Sequence, residues 1–379
     1  MAKNRFFEKQ TALTAAKTKI YEDYITGYLP KLLLSFGKCL IADLFCGPGK
    51  NGEKNGSPLI LLDRINYILS SPVFKQRNNL KIHILFNDQK QDNIKNLIEE
   101  LNKISYDKSV IHITIRNEKY EDLLPDLIKK PEKYRIPKFF FLDPFTYSNV
   151  KMYDLQRLMS LSFTEILLFI PVFHTYRFSS VSFNKDHKTR RFIEEFTKEG
   201  IADYENIHLF MTSIKSKLTQ EIRIPSQNRK PYVRYILIDG GGSKNSLFLI
   251  TGHQKGMLFM NKIAFKNTSD GNCIKLVENN QNSLFSTNEA TLFYFLFKKK
   301  IIQFIEEKKK VTNSEIIDFT IRECFLPKDV KQILKELIIS KKVSIFTSKN
   351  EIIKDSRKWA ISDEPKIETI IKWNDYEQN

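Results

Sequence analysis

Residues 41–62 read IADLFCGPGKNGEKNGSPLILL. An apolar run ends in an acid, Asp43, and Gly47-Pro48-Gly49 then forces a turn. After a polar stretch, Ser57 and Pro58 open a second apolar run, with Ser57 as the expected N-cap and Pro58 at the first helical position. A glycine turn between a strand and a helix bares backbone amides. In a parallel sheet that is where nucleotides bind.

The flanking sequence supports such a sheet. Ile20, Tyr21, Tyr24, Ile25, Tyr28 and Leu32 recur at helical spacing and predict a helix over 11–36. Strands are expected at 39–45, 81–87, 109–116, 138–143 and 165–172, each followed by a helical pattern (57–69, 92–104, 120–130, 150–161 and 187–200). Alternation of this kind means βαβ units and a parallel sheet covered on both faces. Residues 233–251 read as two strands joined by a glycine-rich turn, an antiparallel hairpin, with a helix behind it at 256–265. The fold class is therefore α/β: a doubly wound, Rossmann-like sheet of seven strands ending in an antiparallel hairpin. Residues 1–38 form a helical extension and 39–268 the sheet domain. A polar linker spans 266–287. Residues 288–379 read as a winged-helix-like module, with helices near 290–308, 313–321 and 328–340 and a strand pair at KVSIFT and RKWAIS.

Composition narrows the function classes. The chain has 379 residues and a net charge of +17. Residues 171–270 alone hold 16 Lys and Arg against 9 Asp and Glu. A basic surface attracts nucleic acid, although Lys outnumbers Arg 47 to 14, the usage an AT-rich genome imposes. No apolar run approaches the ~20 residues of a membrane span, and the start, MAKNRFFEKQ, is too polar for a signal peptide. The four cysteines are scattered and form no CxxC pair, so neither a metal site nor a disulfide framework is expected. The expected location is cytoplasmic.

The turn Asp43-x-Phe45-x-Gly47-Pro48-Gly49 is neither a P-loop nor the dinucleotide fingerprint. A diphosphate lacks its cradle there. A nucleoside with an amino-acid tail needs none, so the expected cofactor is S-adenosylmethionine. Asp43, Phe45, Gly47, Pro48 and Gly49 would hold its methionine end, and Asp88, after the second strand, its ribose hydroxyls. Asn117 would stand beside the adenine. The fourth strand ends in Asp143-Pro144-Phe145, where acceptors orient an amine and a ring stacks on a planar substrate. These three are the expected catalytic residues, for transfer to an exocyclic amine of a nucleic-acid base. His174 and Arg177, after the fifth strand, are weaker candidates. The alternative is a non-catalytic protein of the same fold that recognises a partner protein or nucleic acid, in bacterial defence for example.

The pieces FFEKQTALTAAKTKIYEDYI, IADLFCGPG, NGSPLILL, LFND, FFFLDPFTY and LFLITGHQKGMLFMNKI occur in this order over about residues 6–265. In this the chain resembles the three-Cys-motif partner (TcmP) proteins, a bacterial family with a class I methyltransferase-like fold. Lys17, Asp43, Gly47, Pro48, Gly49, Ser57, Asp88, Asp143, Pro144 and Phe145 match family positions. Cys46 stands where alanine is usual, and Thr146 where the family has glycine. The resemblance implies an S-adenosylmethionine fold and a partner protein that itself carries the cysteine motif. Thr146 adds bulk beside the expected acceptor seat; closure of that seat would favour binding without turnover.

Overall fold

The computed structural model describes residues 11–129, 136–180, 187–225, 228–268, 270–276 and 286–374. The parts of the expected extension and linker at 1–10 and 277–285 lie outside them. The chain divides into two compact units, one running to residue 259 and including 273–277, the other made of 260–272 and 278–379.

The first unit is built on one sheet. Its strands are β1 (Lys38–Asp43), β2 (Lys81–Asn87), β3 (Ile111–Arg116), β4 (Lys138–Leu142), β5 (Thr164–Pro171), β6 (Tyr232–Asp239), β7 (Lys244–Thr251) and β8 (Cys273–Lys275). They lie in the order β3-β2-β1-β4-β5-β7-β6-β8. β1 pairs in parallel with β2 and β4, and β7 runs antiparallel between β5 and β6. This is a doubly wound, Rossmann-like sheet, with one strand more than expected. β8 lies inside the stretch read as a linker and pairs in parallel with β6, Cys273 beside Leu237. Three residues are too few to show a period in the sequence.

The longer helices are α1 (Ala12–Phe36), α2 (Ser57–Leu69), α3 (Gln91–Leu101), α4 (Tyr120–Lys129), α5 (Met152–Ser160), α6 (His187–Phe196), α7 (Ile207–Glu221) and α8 (Gln254–Asn267). α7 was not expected, although its buried Phe210, Met211, Ile214 and Leu218 stand at helical spacing. β4 shows how the strand pattern divides the core. Phe140 and Leu142 face a cluster with α4–α7. Phe139 and Phe141 face α1, whose Tyr21 ring lies 6.4 and 4.6 Å from theirs. Thr11 caps α1 by accepting the Thr14 N–H at 3.1 Å. Gly37, at φ 67°, ends it. Glu165 ties α1 to the sheet, accepting from Tyr24 Oη at 2.5 Å and Thr251 Oγ1 at 2.6 Å.

The second unit contains α9 (Ser286–Lys308), β9 (Lys310–Thr312), α10 (Asn313–Arg322), α11 (Pro327–Ile339), β10 (Val343–Thr347) and β11 (Thr369–Trp373), with an antiparallel sheet ordered β9-β11-β10. RKWAIS is not a strand. Ser356–Trp359 form a 3-10 turn whose Trp359 is buried and donates to the Ile353 carbonyl, and the strand lies later, at TIIKW. Among the described residues no helix is long and apolar enough to cross a membrane.

The docking of α1 is testable. A Cβ on Gly27 would lie 2.1 Å from the Phe259 ring. Gly27→Ala gains helix propensity but overpacks this contact, with an expected net cost of about 1–2 kcal/mol. Phe259→Leu should relieve most of it in the double variant, as read by urea unfolding. A stabilised single variant would contradict the packing described.

Candidate cofactor site

The strand order reverses between β1 and β4, and in such sheets the carboxyl ends at that point open a crevice. Asp43 ends β1 there with no solvent exposure. Its Oδ2 accepts from Ser57 Oγ at 2.6 Å and its Oδ1 from the Phe45 N–H at 3.4 Å. Ser57 is thus not the N-cap. Gly56 takes that position, and the Ser57 hydroxyl reaches back to the strand. Burial, reinforced by the negative charge of Asp143, pushes the Asp43 carboxyl up to about 7 against the opposing pull of Ser57, the Phe45 amide and Lys17.

The turn that follows is held from below. Gly47 sits at φ 66° and donates its N–H to Asp88 Oδ2 at 3.1 Å, while Asp88 Oδ1 accepts from the Lys90 N–H at 2.8 Å. Asn117 Nδ2 donates to the Asp88 carbonyl at 2.8 Å. Gly49 sits at φ 83°, and a Cβ there would come within 3.0 Å of Leu97 Cδ1. Its carbonyl accepts the Gly56 N–H at 2.7 Å, which closes a two-stranded loop over residues 50–55. Both glycines are therefore required by backbone conformation.

After β4, Asp143 forms an ion pair with Lys17 of α1, whose Nζ also lies 4.4 Å from the Phe169 ring centre. Pro144 is buried. Phe145 is 37% exposed, with Lys90 Nζ 5.1 Å from its ring centre. Thr146 does not close the seat. It is exposed, bonds Asn149 and is not part of the cavity wall.

These groups surround one cavity of about 590 Å³. Phe45, Gly47, Pro48, Gly49, Asp143, Pro144 and Phe145 line it, as expected candidates, together with Lys17 and Ser57. Asp43 does not; it lies behind the turn and acts through it. Asp88 faces a small recess shared with Phe45, Tyr120 and Phe145. Asn117 lines neither space, because its amide is spent on Asp88, and Arg116 pairs with Glu118. His174 and Arg177 are exposed on the short helix Phe173–Arg177, outside the wall. Lys17 and Asn245 are among the wall residues left unassigned in the sequence. Lys17 is a lone cation one turn before Tyr21 on the buried face of α1, a signal that was legible. Asn245, at the start of β7, gave none. Among the described residues no three His, Cys, Asp or Glu side chains gather as a metal ion needs, and the four cysteines are buried and form no disulfide.

No protein-family model matches the sequence, and no curated protein matches it. Solved structures resemble the chain only at low similarity. A candidate class I S-adenosylmethionine-dependent methyltransferase from Listeria monocytogenes is 8% identical with a TM-score of 0.31, over 64% of this chain and 63% of that one. Trm1 from Pyrococcus horikoshii, solved with S-adenosyl-L-methionine, is 12% identical at 0.33, over 65% and 58%. Magnesium protoporphyrin IX methyltransferase from Synechocystis PCC 6803 is 10% identical at 0.31, over 66% and 88%. The chain thus spans less than two thirds of the first two.

Asp43 gives a pH test. Its folded carboxyl binds a proton more tightly than the unfolded one, so it favours folding at low pH. That contribution is lost as pH rises from about 4 through about 7. Asp43→Asn should gain on the order of 3 kcal/mol relative to wild type across this window in urea unfolding. Parallel stability curves would contradict the burial described.

Proposed function

We propose that the cavity binds S-adenosylmethionine and that the chain transfers its methyl group to an amine, an exocyclic amine of a nucleic-acid base. The observation that carries this reading is one cavity at the strand-order reversal, walled by Gly47–Gly49 on one side and Asp143-Pro144-Phe145 on the other. The residues fit the cofactor. The turn exposes backbone next to about 590 Å³ of space, and a side chain on Gly49 would intrude on Leu97.

When bound, S-adenosylmethionine supplies a methyl group made electrophilic by its sulfonium. The Gly49 N–H holds the polar tail, since Pro48 has no N–H and the Gly47 N–H is already donated to Asp88. Asp88 fixes the turn and offers its remaining lone pairs to the ribose hydroxyls. Asp143 and the Pro144 backbone accept hydrogen bonds from the acceptor amine and orient its lone pair, and the half-exposed Phe145 ring stacks on the base. Catalysis of this kind comes mainly from positioning. A base in a duplex has to leave the stack to enter such a seat. The three helices and antiparallel strands of the second unit support a winged-helix-like reading of that unit, as a module for nucleic acid or for a partner protein of the three-Cys type.

The Lys17–Asp143 pair favours a second reading. An acid already neutralised by a resident cation suits a protein that binds the cofactor without turnover. One comparison separates the two. On nucleic-acid substrates scanned for methyl incorporation, Asp143→Ala should lose at least about a hundredfold in rate, with cofactor affinity within a few fold of wild type. Retained transfer removes Asp143 from the mechanism. Cofactor binding with no transfer to DNA or RNA selects the second reading.

A further inference from the structure

A second cavity, of about 280 Å³, opens at the other end of the sheet, where β4 and β5 begin and β7 ends. Its floor is polar. Thr164 is 5% exposed and its Oγ1 has no hydrogen-bond partner. A buried hydroxyl left unpaired costs stability and calls for an explanation. Glu165 lies beside it, 4% exposed, and its carboxylate keeps one lone pair beyond those used by Tyr24, Thr251 and Tyr28. A side chain at Gly256 would close this corner, since its Cβ would stand 2.4 Å from Glu165 Oε1.

The walls are aromatic: Tyr28, Phe36, Phe163 and Phe259. Phe36 and Phe163 are 42% exposed and their rings lie 5.3 Å apart. Phe163 adopts φ 52°, a conformation that costs a residue with a bulky side chain. Lys31 and Lys255 add positive charge at the exposed margin, with Lys31 Nζ 4.5 Å from the Phe259 ring centre.

We propose that this cavity binds a mononucleotide: the base lies between the aromatic walls, its donor and acceptor edge meets Glu165 and Thr164, and its phosphate faces Lys31 and Lys255. A hydroxyl that donates and accepts, beside a carboxyl that accepts, matches an edge carrying N–H and C=O or ring nitrogen side by side. Rings favour a planar partner, and lysines an anion. This site is independent of the cofactor reading, because no residue of its wall belongs to the other cavity.

The test uses the full chain, with calorimetry and thermal melts against AMP, GMP, CMP and UMP and the matching nucleosides. Wild type should bind at least one nucleotide, and the nucleoside at least tenfold more weakly. Thr164→Val should melt at or above the wild-type temperature without ligand, since it removes an unpaired hydroxyl, yet bind at least tenfold more weakly. Asp88→Ala, at the opposite end of the sheet, should bind as wild type does. The proposal is overturned if no nucleotide binds or if Thr164→Val leaves affinity unchanged. Loss of binding in Asp88→Ala alone overturns it too, since the nucleotide then sits in the first cavity. A lower melting temperature for Thr164→Val, with no nucleotide binding, identifies a water-bonded hydroxyl and also overturns it.

Discussion

A carboxyl group sealed from solvent at the reversal of strand order organises the first unit. Asp43 ends β1, ties Ser57 at the start of α2 and caps the Phe45 amide. Desolvating an acid is unfavourable, so its neighbours matter. The hydroxyl and amide satisfy it, while Asp143 across the crevice raises its proton affinity and Lys17 offsets that effect. Strand, turn and helix are thereby held to one geometry, and the cavity is what that geometry leaves open.

A second carboxylate does the same work from the next strand. Asp88 receives the Gly47 and Lys90 amides, and Asn117 in turn holds the Asp88 carbonyl. The chain from β3 to the glycine turn is a continuous run of hydrogen bonds. Asp43 and Asp88, both expected to touch a ligand, are first supports for the backbone. α1, an element outside the sheet, contributes the cation that faces Asp143 and makes one wall of the cavity.

Much of this was legible in the sequence because buried strands and amphipathic helices carry strong periods. The α1 stripe from Ile20 to Leu32 is buried residue for residue as the spacing requires. The same holds for the five strand–helix steps, whose bounds fall within a few residues of those expected. Legibility ended where long-range contact overrides local chemistry. Ser57 has the character of an N-cap, but a carboxylate 14 residues earlier claims its hydroxyl. Asn117 stands in the place of an adenine contact and is taken by a backbone carbonyl. Thr146, which threatened the acceptor seat by its bulk, turns outward to Asn149 because a short 3-10 turn follows it. RKWAIS has strand-like residues, yet the Trp359 ring is needed in the core and the chain turns to place it there. The small hairpin at 50–55 and the three-residue β8 are too short for any pattern to show.

The central claim is that the glycine turn and its two supporting acids form a seat for S-adenosylmethionine. Calorimetric titration of the purified chain with S-adenosylmethionine, beside Asp88→Ala shown to be folded by circular dichroism, tests it most directly. The account predicts one site of micromolar affinity in the wild type and a loss of about tenfold or more in the variant, the scale of one or two charge-assisted hydrogen bonds. A folded wild-type chain that takes up no S-adenosylmethionine would contradict it.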